Sequence, residues 1–83
     1  MYSIFIANKT KKELRKVPKS TLKRIYMAVE SLKIEPRPKE AIKIKGDEGY
    51  RIRVGDYRIL YIIDEEGKIV YIFRVKPRGR VYK

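Results

Sequence analysis

The chain has 83 residues, enough for one domain with one modest core, and its 22 lysines and arginines against 10 acids leave it at +12. With no cysteine and no histidine it can build no disulfide framework, thiolate nucleophile or zinc finger, and it lacks the commonest metal ligand and general base. Self-repulsion on this scale works against compaction in so small a body, so an anionic partner is expected, either nucleic acid or an acidic protein.

Residues 2–7 are β-branched and aromatic and predict a first strand, after which Asn8 is placed to cap a helix. Residues 9–16 are good helix formers but mostly charged. Leu14 and Val17 are their apolar contacts, so this helix should lie on the surface and pack by a narrow edge. Its basic residues Lys9, Lys11, Lys12, Arg15 and Lys16 read either as a solvated face or as a surface lying against nucleic acid.

Pro18 interrupts that helix and fits the first turn of another, in which Leu22, Ile25, Tyr26, Val29 and Leu32 recur at three- and four-residue spacing. This amphipathic helix should end before Pro36-Arg37-Pro38. Residues 36–49 read as a connection in which Ala41-Ile42-Lys43-Ile44-Lys45 alternates well enough for a short edge strand. Three strands follow, over 50–54, 57–63 and 68–76, joined by Gly55-Asp56 and by Asp64-Glu65-Glu66-Gly67. The three carboxylates of that second turn read as a solvated tip, and Glu30, Glu35 and Glu40 as charge balance among lysines.

The order β-α-α-β-β-β predicts a single α+β domain over residues 1–83, its helical hairpin covering one face of a mostly antiparallel sheet. No stretch approaches the roughly 20 apolar residues of a membrane span, and the short apolar N-terminus runs too soon into lysines for a signal peptide. No membrane contact and a cytoplasmic location are expected.

Alternation along the C-terminal strands puts Arg51 and Arg53 together, opposite Ile52 and Val54. Arg58 shares its face with Leu60 and Ile62, at the mouth of an apolar surface or paired with a carboxylate such as Asp56. In the last strand Arg74 and Lys76 are expected to point away from Tyr71, Phe73 and Val75. Several arginines on one small sheet make a surface suited to phosphate, which a guanidinium grips by two hydrogen bonds.

The pattern Lys45-Gly46, Tyr50-Arg51-Ile52-Arg53-Val54-Gly55-Asp56-Tyr57-Arg58-Ile59-Leu60-Tyr61, then Arg74-Val75 and a basic tail ending Val81-Tyr82, resembles the RelE branch of the RelE/ParE toxin superfamily. The resemblance runs through the whole chain. It implies the toxin of a type II toxin–antitoxin pair: a ribosome-dependent endoribonuclease (mRNA interferase) that enters the ribosomal A site, cuts mRNA there and arrests translation. A RelB-like, acidic antitoxin is the implied partner, and the toxin–antitoxin complex would reach operator DNA through the antitoxin.

Carried over residue by residue, the resemblance assigns RNA binding to Arg51 and Arg53, and catalysis to Arg58, to Arg78 in the tail and to Tyr82. Arg80 is a second candidate for the tail arginine, and Lys43 and Lys45 are added as RNA contacts. Where relatives often carry Val-Gly-His-Arg or Val-Gly-Lys-Arg, this chain reads Val75-Lys76-Pro77-Arg78, and the proline removes one candidate proton donor. The implied reaction uses the RNA's own 2′-hydroxyl, leaves a 2′,3′-cyclic phosphate and calls for no metal or other cofactor. Arginines suit the phosphate clamp rather than proton transfer; Tyr82 reads as general base or as a stacking residue. Two other readings stand beside this one, a ParE-like toxin that inhibits DNA gyrase and a non-catalytic nucleic-acid-binding relative.

Overall fold

The structure, a computed structural model, describes residues 1–46 and 49–77. Strand β1 (Ser3–Ile6) leads into helices α1 (Asn8–Leu14) and α2 (Lys19–Ser31), followed by β2 (Ile42–Lys43), β3 (Tyr50–Val54), β4 (Tyr57–Asp64) and β5 (Ile69–Pro77). These form the expected α+β arrangement. The strands make one sheet in the order β1-β5-β4-β3-β2. The four C-terminal strands pair antiparallel, whereas β1 lies parallel to β5, with Ser3 opposite Ile69 and Ile6 opposite Ile72. The helical pair carries the chain from β1 at one edge of the sheet to β2 at the other, and the antiparallel run from β2 to β5 brings it back beside its own start.

Leu14 and Val17 are buried, as their isolation among charges predicts, and Thr10 joins them with a hydroxyl that has no hydrogen-bond partner among the described residues. Asn8 is the first helical residue rather than the cap. Ala7 occupies the capping position in extended backbone, its carbonyl accepting from the N–H groups of Thr10 (2.9 Å) and Lys11 (3.0 Å). Pro18 likewise precedes α2 instead of opening it. Ile25, Val29 and Leu32 turn inward. Tyr26, which the spacing assigns to the same stripe, is 45% exposed, so the buried edge of α2 is narrower than its apolar content.

The sheet contributes Ile52, Val54, Ile59, Tyr61, Val70, Ile72 and Val75 to the core. Tyr61 is fully buried, its ring stacked on Tyr50 at 5.9 Å and its hydroxyl donating to the Pro36 carbonyl at 2.7 Å. That bond fastens the connection after α2 to the middle of the sheet. Burial also pushes the Tyr61 phenol well above its ordinary pKa, so it stays a donor throughout the working pH range. No helix among the described residues is long and apolar enough to cross a membrane.

Tyr61→Phe would leave the buried Pro36 carbonyl without its donor, at a cost of about 1–2 kcal/mol. Urea unfolding should show a lower midpoint at unchanged slope; an unchanged midpoint would mean that water satisfies the carbonyl equally well.

A candidate nucleic-acid interface

Gly55 and Asp56 form the two-residue turn between β3 and β4, with Gly55 at a φ of +60° that L side chains rarely adopt. A turn this tight leaves one register, which sets Arg53 directly opposite Arg58. On the other side of β4, Arg58 faces Lys76 of β5. Three cations therefore run in a row across three adjacent strands. Like charges directly opposite one another destabilise a sheet, and among the described residues no carboxylate pairs with Arg51, Arg53 or Arg58. Asp56, the neighbour proposed to neutralise Arg58, does not do so.

The face is fixed by what lies behind it. Ile52, Val54, Ile59 and Val75 are buried against the helices, which forces Arg53, Arg58 and Lys76 to the opposite side. Arg53 and Lys76 are exposed, while Arg51 and Arg58 are half-buried, consistent with stems lying on the sheet and heads in water.

One step along the strands, Leu60 is flanked by Arg51 and Arg74. Arg74 is engaged: its Nε donates to Glu13 of α1 at 2.9 Å, and the other Glu13 oxygen accepts from the Val75 backbone N–H at 2.8 Å. Beyond Ile72, β5 has no β1 residue beside it, so the Glu13 carboxylate serves the backbone of that uncovered edge. The sequence offers no local sign of this pairing. A groove of about 340 Å³ lies here, lined by Glu13, Lys16, Tyr57, Arg74, Val75 and Lys76 among others.

Alternation in β5 is not continuous. The register shifts beside Leu60 and Tyr61, so that Ile72 faces Tyr61 and Arg74 faces Leu60, with Phe73 as the extra residue. Val75 is buried but Tyr71 lies opposite Ile62 on the open face. The expectation that Tyr71, Phe73 and Val75 share one side therefore fails at the bulge.

The remaining candidates divide. Lys43 stands opposite Tyr50 with its Nζ 5.6 Å from the centre of that ring, on the side of the sheet away from Arg51, whose own partner in β2 is Ile42. Lys45 is exposed in the turn that follows β2. Neither is brought to the row. Arg78, Arg80 and Tyr82 lie outside the described residues; the chain passes into them from Pro77, which is paired with Tyr57 at the cationic end of the sheet.

A second cluster escaped the sequence reading. Glu65, placed at a solvated turn tip, accepts from the Tyr2 hydroxyl at 2.8 Å and pairs with Arg37, whose Nε in turn donates to the Tyr50 hydroxyl at 3.1 Å. The Tyr2 hydrogen bond and then the Arg37 contacts hold the Glu65 carboxyl below the ordinary carboxylate range. The cluster ties the N-terminus, the connection after α2 and the β4–β5 turn together, and it removes Arg37 from the pool of cations open to a ligand.

Residues 4–82 match the family described as the ParE toxin of type II toxin–antitoxin systems. A protein of Methanocaldococcus jannaschii named as a RelE toxin is 34% identical over 86 residues, covering 99% of this chain and 96% of the relative. Among solved structures, the archaeal RelE–RelB complex of Pyrococcus horikoshii is similar at a TM-score of 0.82 and 34% identity, covering 96% of this chain and 98% of the other. A toxin–antitoxin complex of Mycobacterium tuberculosis gives 0.82 at 28% identity, covering 93% and 98%. The isolated RelE toxin of E. coli shares the fold, at a TM-score of 0.86 and 21% identity over 99% of this chain and 89% of that one.

Two outcomes follow from the charges. Arg58→Thr removes the central cation of the row, so the melting temperature at low salt should rise by the equivalent of about 0.2–1 kcal/mol, and the gain should shrink as salt is added. A loss at every ionic strength would show that packing of the stem outweighs repulsion. For Glu65 the folded pKa lies below the unfolded one, so its contribution is present above the ordinary carboxylate range and disappears as pH falls through the depressed value. The stability difference between the native chain and Glu65→Gln should therefore be present at neutral pH and close on acidification; a difference independent of pH would contradict the ionic link.

Proposed function

Because the chain belongs to the ParE toxin family of type II toxin–antitoxin systems, as a RelE-like toxin, we propose that it is an endoribonuclease cutting mRNA in the ribosomal A site. The observation that carries this reading is the row Arg53–Arg58–Lys76, three cations aligned on an open sheet face with no carboxylate to neutralise them among the described residues. A fold tolerates such a row where an anion offsets the repulsion, and the phosphates of a single strand are anions repeated at short intervals.

In the proposed reaction the 2′-oxygen of one nucleotide forms a bond to the adjacent phosphorus while the bond from phosphorus to the 5′-oxygen breaks. The 2′-hydroxyl proton passes to a base, the departing 5′-oxygen takes up a proton, and the products are a 2′,3′-cyclic phosphate and a free 5′-hydroxyl. Arg58, with Arg53 and Arg51 beside it, holds the phosphoryl oxygens as negative charge builds. A guanidinium keeps its proton, so these residues clamp and do not transfer. Tyr82 is assigned the base or a stacking role, and Arg78 or Arg80 a further clamp. With no histidine to run the proton transfers, the ribosome is assigned the task of bending the message into line.

An acidic antitoxin of the RelB type is the proposed partner, since similar toxins have been solved in complex with RelB and a negatively charged segment would relieve the +12 charge. Operator DNA would be reached through that antitoxin. A cytoplasmic location, where ribosomes are, belongs to the same proposal. Because the matching family carries the ParE name, inhibition of gyrase is the second reading.

The test adds purified protein to translating ribosomes, to gyrase with DNA, and to RNA alone. Cut message in the first is expected, with Arg58→Ala slower by about 10²- to 10³-fold. Tyr82→Phe should slow cutting strongly at unchanged ribosome affinity if the phenol is the base, and only mildly if it stacks. Intact message together with trapped, cleaved DNA would replace this reading with the gyrase one.

A further inference from the structure

The face that carries the cation row changes character along its length. At one end lie Arg53, Arg58 and Lys76; two residues on, Leu60 stands between Arg51 and Arg74; two further, Ile62 is opposite Tyr71, and Tyr71 is opposite Phe5 of β1. Phe5 is 54% exposed and Ile62 39% exposed, although Ile4 and Ile6 on either side of Phe5 pack against the core. The Phe5 and Tyr71 rings meet edge to face, with centroids 5.3 Å apart and planes at 66°. The pair leaves aromatic surface facing solvent.

We propose that Phe5 and Tyr71 form a nucleobase-stacking platform, receiving a base of the same single strand whose phosphates lie on Arg53, Arg58 and Lys76. The inference rests on reading that face as an RNA surface, and it adds where the bases go. Two steps of two residues along a strand span roughly 13 Å, which at about 3.4 Å per stacked nucleotide is at most about four nucleotides. One short strand can thus touch both ends. A polyanion alone would need only the cations, and an apolar partner only the aromatic end. A nucleotide carries an anionic and a flat apolar part together, and this face presents both in sequence. Stacking is tolerant of base identity, so the platform would position a message without choosing its sequence.

The test uses two eight-nucleotide 2′-O-methyl strands, which cannot be cut, one bearing bases and one abasic, and measures binding to the full chain against salt. The native protein should prefer the base-bearing strand. Phe5→Leu and Tyr71→Leu, which keep apolar bulk and should melt near the native temperature, are expected to lose roughly five- to a hundredfold in affinity for the base-bearing strand and almost nothing for the abasic one, at unchanged salt slope. Arg53→Gln should weaken both strands and lower the salt slope by about one. Equal native affinity for the two strands overturns the platform, as does a leucine variant that keeps the native preference. So does a leucine variant that retains RNA but no longer holds the acidic antitoxin, which would give this end of the sheet to protein. If base preference follows the aromatic pair but translating ribosomes leave message intact, the platform stands and the nuclease reading fails.

Discussion

Register between β3 and β4 is the constraint on which the rest depends. The tight turn at Gly55-Asp56 pairs Ile52 with Ile59 and Arg53 with Arg58, and the first pair is buried against the helices. A slip of one residue would turn the arginines into the core and the isoleucines into water. Burying an unpaired guanidinium costs several kcal/mol, and each exposed isoleucine forfeits about 1.5–3 kcal/mol. The sum far exceeds the like-charge repulsion of the row, about 0.2–1 kcal/mol per pair. The core therefore decides where the cations stand, and the cations accept a strained arrangement that suits a polyanion.

The same sheet separates cations that are engaged within the chain from those left for a ligand. Arg74 is held by Glu13 and Arg37 by Glu65, each pair linking segments far apart in the chain. Both pairs are partly exposed, so their direct contribution to stability is modest. Their effect is positional. Glu13 anchors α1 to the uncovered end of β5, from which the chain runs on toward Arg78 and Tyr82, and Glu65 gathers Tyr2, Arg37 and, through it, Tyr50 around one turn. Among the described residues Arg51, Arg53, Arg58 and Lys76 are what remains on the open face.

Much of this was legible in the sequence because it follows from short periods. The two-residue alternation of 50–54 set Arg51 beside Arg53 and that of 57–62 set Arg58 with Leu60 and Ile62, the register of β3 on β4 then joining the two sets on one face. The three- and four-residue spacing in α2 picked out Ile25, Val29 and Leu32. The pattern failed where geometry departs from its period. A bulge reset the alternation of β5 and moved Tyr71 to the open face. Tyr26 fits the apolar stripe of α2 by spacing yet remains exposed, outside the narrow edge that buries Ile25, Val29 and Leu32. Lys43 carries no periodic signal of its side, and its pairing with Tyr50 places it away from the arginine face.

By itself the sequence determined the element order, the net charge, the buried stripe and the sidedness of each uninterrupted strand, since these depend on neighbours a few positions away. Only the tertiary structure decided which strands meet. The parallel pairing of β1 with β5 put Phe5 beside Tyr71, and the fold carried Glu13 to Arg74 and Tyr2 to Glu65, across separations of 61 and 63 residues. Contacts of that range leave no periodic trace, because they form when the apolar faces of helices and sheet find a common core and the polar groups at its margins take whichever partners that packing brings within reach.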